Sequence, residues 1–319
     1  MQHALVLQGI RKQYHDHVAV NELDLAVPTG VIYGILGPNG AGKTTTLRMA
    51  LNIIACDRGE TRVLGANPAQ HREVLRRVGY LPEERGLYRK MTVIDVIVYF
   101  ARLKGVAPAA ARTEADRWIE RMGLGDWRRS RVETLSKGMQ QKVQFIATVS
   151  HQPDLLVLDE PTSGLDPVNQ EVLRETMLDA RRQGRTVILS THNMQQAEQL
   201  CDAVCIIAGG AKLLDGTLDE IRRAHSDHRF AVTFEAPSEA ADTMLRTRRG
   251  PFVSAVRKPD GWEFELAPNA TVHEALSSLN ALEVGIARFA RVQPSLHEIF
   301  IRRVGRSGAA VRRPEQLHA

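Results

Sequence analysis

The chain has 319 residues, of which 43% are hydrophobic and 25% charged, a composition ordinary for a folded globular protein. Its net charge of +5 is small and dispersed and its aromatic content is only 5%, so no nucleic-acid partner is expected. No run approaches the ~20 apolar residues of a membrane span and the N-terminus has no signal region, which predicts a cytoplasmic protein unless a partner holds it at a membrane. Cys56, Cys201 and Cys205 form no metal or disulfide pattern and are interpreted as small buried residues.

A glycine-rich string lies between a predicted strand and a predicted helix near the start of the chain. Residues 4–8 and 18–27 are predicted strands, and the apolar run 31–36 leads into GPNGAGKTT, followed by a helix predicted to end near Ile54. The string matches the phosphate-binding pattern G-x-x-x-x-G-K-[ST] at Gly37, Pro38, Asn39, Gly40, Ala41, Gly42, Lys43, Thr44 and Thr45. Its backbone N–H groups and the helix N-terminus are expected to hold a nucleoside triphosphate. Lys43 is expected to reach the β- and γ-phosphates and Thr44 to bind Mg²⁺.

Strand and helix patterns alternate through most of the remaining chain. A strand is predicted over 59–64, and helical periodicity begins at a capping threonine, Thr92, and includes a second helix over 111–122. Buried-strand runs at 155–158, 186–190 and 204–208 are separated by helices, which predicts a parallel sheet with right-handed crossovers. A hairpin turn is predicted at 209–212, with the large domain ending near Ile221.

Acidic side chains follow the first of these buried runs. Asp159 and Glu160 come at the carboxyl end of a predicted strand, where ligands bind in open α/β sheets. Asp159 is expected to hold Mg²⁺, and Glu160 to align or deprotonate the water that attacks the γ-phosphate. His192 follows the next strand and is expected to contact the γ-phosphate or the attacking water. The alternatives are a helix cap for the acids and a purely structural role for the histidine.

Two further polar segments have the pattern of loops that begin helices. Ser136 is a good N-cap before the helix that continues to about Ser150, and Gly138 would let a ligand approach the backbone beside Lys137. The segment 163–166 ends in Asp166, which on its own is interpreted as an N-cap in a turn. A second helix N-terminus suited to an anion therefore occurs in a chain that already has one, unless it is only a capping loop.

Together these segments resemble the nucleotide-binding subunit of an ABC transporter from about Leu5 to Leu218. GPNGAGKTT is similar to the family's Walker A motif, LLVLDEP to its Walker B motif, SGLD to its D-loop, STH to its switch histidine and LSKGMQQ to its signature sequence. The resemblance implies that Tyr14 stacks on adenine and that Ser136, Lys137, Gly138 and Asp166 contact ATP held by a second, head-to-tail copy. A tyrosine at this position is equally consistent with packing alone.

The resemblance also implies an α/β P-loop NTPase fold with a mixed or parallel sheet, an antiparallel N-terminal sheet and a helical subdomain at about residues 88–152. It implies ATP hydrolysis with Mg²⁺, and as partners a second copy or a homologous ATPase subunit together with separate transmembrane permease subunits. The protein would then lie on the cytoplasmic face of the membrane through its permease. The transported substrate is not encoded in such a chain.

The signature and the loop after Tyr80 depart from the usual family pattern. Lys137 replaces a glycine and Met139 a glutamine, and Glu83 stands where the family normally has the glutamine of its Q-loop. Both departures resemble a bacterial exporter branch, that of sodium-efflux-type ATPases with a small C-terminal domain. Glu83 is expected to respond to Mg²⁺ as a charged ligand where relatives use an amide. The alternative is that Glu83 is a surface charge.

A new pattern of predicted strands and helices begins after residue 225. Strands are predicted over 230–235, 262–266 and 285–290 and a helix over 272–282, which predicts a small α+β accessory domain at 226–305 after an ATP-binding domain at 1–225. Glu263 and Glu265 alternate on one strand and are interpreted as a solvated edge. The segment 294–300 resembles the end of the exporter branch's accessory domain, and 306–319 is predicted to be a flexible tail.

Two other function classes fit the sequence less well than an exporter ATPase. ABC-type ATPases that act on ribosomes or nucleic acid usually carry two ATPase modules or a long coiled-coil insertion, and this chain has neither. P-loop kinases and small GTPases lack the LSKGM and SGLD segments.

Overall fold

The computed structural model describes residues 2–84, 86–226 and 228–307. The chain divides into a large unit, which contains residues up to Leu218 and again from Arg302, and a small unit, Asp219–Ile301. The predicted tail at 306–319 falls almost entirely outside the described residues, and its first two residues belong to a helix that continues through Ser307.

The large unit opens with an antiparallel sheet in the order β2-β1-β4. Its strands are β1 (His3–Tyr14), β2 (His17–Pro28) and β4 (Arg58–Val63). Alternation of buried and exposed residues, such as buried Leu5 and Leu7, places one face of β1 against the core. The strand continues well beyond the predicted end at residue 8 because its pairing with β2 extends to Tyr14 opposite His17.

A six-stranded sheet in the order β5-β6-β7-β3-β8-β9 forms the centre of the large unit. All neighbouring pairs are parallel except β8 with β9, which form the predicted hairpin. The strands are β3 (Ile32–Leu36), β5 (Val78–Leu81), β6 (Leu155–Asp159), β7 (Thr186–Thr191), β8 (Ala203–Ala208) and β9 (Ala211–Thr217). Because β7 lies between β6 and β3, the loops after these three strands meet at one edge of the sheet.

Six helices pack with this sheet or form the helical segment between β5 and β6. They are α1 (Lys43–Ala50), α2 (Val93–Leu103), α3 (Pro108–Arg121), α4 (Lys137–Val149), α5 (Pro167–Arg182) and α6 (Met194–Leu200). Short 3₁₀ turns lie at Arg72–Arg77, Gly125–Trp127 and Val132–Thr134. The predicted caps Thr92 and Ser136 are confirmed, since each side chain accepts a backbone N–H of its helix. Helix α1 ends at Ala50, before the predicted Ile54.

The small unit follows a β-α-β-β-α-β order of the ferredoxin-like kind. Its sheet runs β11-β12-β10-β13, entirely antiparallel, and Phe230, Trp262 and Phe264 lie in its core. The elements from the end of the large unit onward are α7 (Leu218–Ala224), β10 (Arg229–Phe234), α8 (Glu239–Arg246), β11 (Phe252–Lys258), β12 (Gly261–Leu266), α9 (Val272–Asn280), β13 (Ile286–Arg291) and α10 (Leu296–Ser307).

The expectation of a solvated edge at Glu263 and Glu265 is wrong. The strand β12 that carries them pairs with β11 on one side and β10 on the other, and both residues are half-buried. The error arose because β11 was not predicted from the sequence. Among helices within the described ranges, none is both long and apolar enough to cross a membrane.

Candidate functional site

The phosphate loop joins β3 to α1 in a backbone shape that only glycine accommodates at its ends. A Cβ on Gly37 would lie 2.1 Å from the carbonyl oxygen of Ile207, and one on Gly42, where φ is 102°, would lie 2.3 Å from the carbonyl oxygen of Ala19. Lys43 is 6% exposed, and its Nζ donates to the carbonyl oxygens of Gly37 at 2.9 Å and Pro38 at 3.1 Å. The loop is therefore closed around the Lys43 ammonium group.

Asp159 ends β6 and is fully buried. Neither of its carboxylate oxygens has a hydrogen-bond partner of good geometry among the described residues, although the hydroxyls of Thr44 and Ser190 lie close enough to act on it. Burial raises the pKa of Asp159 above its ordinary value, and the two hydroxyls offset only part of this rise. A buried carboxylate without partners next to a threonine hydroxyl is a site that a cation would satisfy.

Magnesium fits this arrangement. In phosphate-binding sites Mg²⁺ is typically held by one or two protein carboxylates, with phosphate oxygens and water completing the octahedron. Asp159 and Thr44 supply that kind of donor set, and in the ranges the structure describes no cluster of three or more His, Cys, Asp or Glu residues has metal-binding geometry. Any ion here would thus depend on the phosphates for part of its coordination.

Glu160, the residue after β6, has an uncommon backbone conformation. Its φ is 47°, in the left-handed region, and its N–H donates to the carbonyl oxygen of Ser190 at 3.0 Å. Its Oε1 accepts the His192 N–H at 3.0 Å, lies 2.8 Å from His192 Nδ1, and lies 3.8 Å from Lys43 Nζ. The structure therefore brings the three predicted catalytic side chains, Lys43, Glu160 and His192, together around one carboxylate oxygen.

Several residues predicted to contact ATP line one cavity of about 460 Å³. It is lined by Tyr14, His17, Ala19, residues 39–45, Glu83 and Glu160. Tyr14 is 44% exposed, and the Lys12 ammonium lies 5.5 Å from its ring centroid. His17 was missed by the sequence analysis; its place in the tight turn that brings β2 back beside Tyr14 was the available signal.

Charges around the cavity act on Lys43. Burial lowers the pKa of Lys43, and the carboxylates of Glu160, Asp159 and Glu83 oppose that effect. Glu83 itself is exposed, but it lines the same cavity as the phosphate loop. The arrangement can hold a polyanion at the loop and present Glu160 to water beside it.

The signature residues do not line this cavity. Ser136 caps α4 by accepting the Met139 N–H at 3.3 Å, and Lys137 and Gly138 begin the helix. A Cβ on Gly138 would lie 3.4 Å from the carbonyl oxygen of Gly164, so the signature lies beside the segment that leads to Asp166. Asp166 caps α5, with its Oδ1 accepting the Asn169 N–H at 3.0 Å. Ser136, Lys137, Gly138 and Asp166 thus form a second cluster, separate from the phosphate loop.

Another cavity, of about 570 Å³, lies in the small unit and is lined by residues that include Thr233, Lys258, Trp262, Arg288 and Gln293. It contains no phosphate loop and no acid pair after a parallel strand, so its size does not make it the candidate for nucleotide chemistry.

The fold and the phosphate site match a known family. Residues 20–163 match the profile described as ABC transporter, and residues 216–304 match the profile of the ATP-binding protein DrrA1-3-like C-terminal domain. The chain belongs to the ATP-binding proteins of ABC transporters, whose members are ATPases coupled to transport.

Two individual relatives align with nearly the whole chain. It is 39% identical over 301 residues to the ABC transporter ATP-binding protein YhaQ of Bacillus subtilis, covering 94% of this chain and 98% of the relative. It is 32% identical to the daunorubicin/doxorubicin resistance ATP-binding protein DrrA of Streptomyces peucetius, covering 95% and 92%. A solved ATP-binding subunit of an ABC transporter aligns with a TM-score of 0.66 at 30% identity, covering 69% of this chain and 92% of that one.

Proposed function

We propose that this chain binds ATP with Mg²⁺ at a composite site between two head-to-tail copies and hydrolyses it to drive export through separate membrane-spanning partners. The observation that carries the proposal is the separation of two anion-suited clusters within one chain. The cavity at Lys43 and Glu160 is lined by none of Ser136, Lys137, Gly138 and Asp166, which lie at the starts of α4 and α5. A two-fold axis would supply each cavity with the other copy's Ser136 cluster.

The residues in and beside the cavity then have distinct roles. Tyr14 stacks on the adenine, the N–H groups of residues 37–45 and the Lys43 ammonium bind the phosphates, and Thr44 and Asp159 hold Mg²⁺. The ion, when bound, neutralises charge on the β- and γ-phosphates. Glu160 accepts a proton from the attacking water, and His192 orients the Glu160 carboxylate through its N–H and Nδ1.

The names of similar proteins support export over the other function classes. Proteins similar to this chain are named for daunorubicin/doxorubicin resistance and for Nod factor export, the latter at 38% identity over 213 residues in Cupriavidus pinatubonensis. We place the protein on the cytoplasmic face of the membrane, held there by its permease. An ATPase that acts on ribosomes or nucleic acid is the alternative, and no observation on this chain favours it.

The domain at 226–305 is proposed as a separable accessory domain that regulates the ATPase or binds a partner. None of the residues that the structure describes in this range lines the phosphate cavity, and the division of the chain into units at Leu218 and Asp219 lies a few residues before the proposed boundary.

Mixed dimers test the composite site. Lys43→Ala and Ser136→Arg chains should each be inactive alone, because every site in their homodimers has lost one half. Equal mixing should restore up to about a quarter of the wild-type rate, since about half the dimers would be mixed and each would hold one intact site. Lys43→Ala mixed with Glu160→Gln is the matched control: both changes lie on the same half, so no site is restored. Full activity in a strictly monomeric preparation would refute the proposal.

A further inference from the structure

A single buried carboxamide holds the backbone on both sides of Glu83. Gln144 lies two turns into α4 and is 5% exposed. Its Nε2 donates to the carbonyl oxygen of Pro82 at 3.2 Å and to that of Glu84 at 3.0 Å. Both partners are carbonyl oxygens, so only the amide nitrogen can face them. Glu83 therefore stands between two backbone groups that are fixed from one side chain.

The same face of α4 also packs against β5, the strand that leads to Glu83. Thr148, one turn after Gln144, packs so closely that a Cβ on Gly79 would lie 2.5 Å from the Thr148 carbonyl oxygen. Near the end of the helix, His151 Nε2 lies 3.3 Å from the carbonyl oxygen of Val78. Helix α4, β5 and the start of the Glu83 loop thus form one closely packed body.

The Glu83 loop contacts α1, the helix that follows the phosphate loop, more weakly than it contacts α4. Arg48 of α1 lies 3.6 Å from Glu84, but the Glu84 side chain is 85% exposed. Exposed ion pairs contribute little to fixing a structure, whereas a buried amide that loses its acceptors leaves polar groups unsatisfied. Gln144 rather than Arg48 is therefore the contact that sets where the Glu83 loop lies.

We propose that Gln144 is a positioning residue that holds Glu83 at the phosphate cavity and ties it to the signature segment at the start of the same helix. Ser136 caps the end of α4 that would close over the partner's ATP, and Gln144 holds the carboxylate that faces the chain's own ATP. A displacement of α4 at one site would thereby move Glu83 at the other. This inference rests on the proposed composite site.

The test measures ATP binding rather than turnover. In a Glu160→Gln background, which preserves ATP, the dissociation constant of ATP is measured by calorimetry with EDTA and with saturating Mg²⁺. Gln144→Met keeps the length of the side chain but has no donor. We expect it to reduce the tightening caused by Mg²⁺ by about five- to tenfold and to leave the metal-free affinity within about twofold.

Lys142→Met is the matched control. Lys142 lies two residues before Gln144 in α4, outside both segments proposed to contact ATP, and its Nζ donates to the carbonyl oxygen of Met122 at 3.1 Å. This change should leave the Mg²⁺ effect as in the parent. In a Glu83→Ala background, Gln144→Met should have no further effect on it.

An unchanged Mg²⁺ effect in Gln144→Met, or an equal loss in Gln144→Met and Lys142→Met, would overturn the inference. If Gln144→Met does not fold, Gln144→Asn withdraws the donor by one methylene group and is measured in its place. Failure of the composite site is recognised separately, because the mixed dimers of Lys43→Ala and Ser136→Arg would then recover no activity.

Discussion

Replacing Glu160 with glutamine should separate ATP binding from ATP hydrolysis. Glutamine retains an oxygen that can accept the His192 N–H, now at 3.0 Å, but it lacks the negative charge that faces Lys43 Nζ at 3.8 Å. Lys43 keeps its two carbonyl acceptors and the nearby carboxylates of Asp159 and Glu83, so the fold should be preserved. A neutral amide cannot take a proton from water, and the chemical step should therefore be slowed.

The expected loss of turnover is ~10²–10⁴, the usual contribution of a positioned general base, which corresponds to about 3 to 5 kcal/mol in the activation barrier. ATP binding should be unchanged or tighter, because one negative charge next to the triphosphate has been removed. The pKa of Lys43 should fall further, since Glu160 is the largest of the influences that oppose the effect of burial.

Phosphate release and calorimetric ATP binding are measured on the same preparation. Glu73→Gln is the control, since it neutralises an exposed carboxylate that lies 3.3 Å from His71 and outside the phosphate cavity. It should change neither quantity. Hydrolysis by Glu160→Gln at a rate near that of the wild type would show that Glu160 is not the group that activates water.

Three further changes address the loop, the domain boundary and pH. Gly37→Ala should prevent folding of the loop, because its Cβ would lie 2.1 Å from the Ile207 carbonyl oxygen. Gly40→Ala meets no described atom within 4 Å, so its cost to folding should be only the roughly 1–2 kcal/mol of a left-handed backbone, here at a φ of 77°, and it should mainly weaken ATP binding. Comparable melting temperatures for the two variants would contradict this. A chain that ends at Ile221 should still bind ATP, and a folded truncation that does not would place the boundary elsewhere. Burial lowers the pKa of His151 to about 4 from an ordinary 6.5, so the unfolded chain binds the proton first and stability should fall from pH 6.5 to 4. His151→Asn should flatten that slope in urea unfolding, and an unchanged slope would exclude His151 as its source.

The segments predicted well from the sequence are those whose signals are local. A capping hydroxyl such as Thr92 or Ser136 marks its own helix, and the apolar run before Asp159 marks its own strand. Two overlooked strands depend on distant partners. Strand β5 has only four residues and is recognised by its pairing with β6. Most residues of β11 are exposed to solvent. Neither strand therefore has a clear sequence pattern by itself.

The residues of the candidate site could be predicted from the sequence, but their arrangement in space could not. The motifs identified Lys43, Asp159 and Glu160 because each lies at the end of a buried strand or in a phosphate loop. Gln144 gave no signal, since an amide inside a helix has the same local pattern whether it faces water or clamps a loop. The left-handed backbone of Glu160 was also invisible, because the residue type alone does not favour it.

The cysteines of the chain differ sharply in their accessibility to thiol reagents. Burial raises the pKa of all three thiols, to about 12 for the buried Cys201 and Cys205, whereas Cys56 is only half-buried. Cys56 precedes Asp57, which binds Lys12 at 2.7 Å, and Lys12 in turn lies over the Tyr14 ring. A maleimide dye should therefore attach preferentially at Cys56, where its fluorescence would follow the Tyr14 side of the cavity in real time.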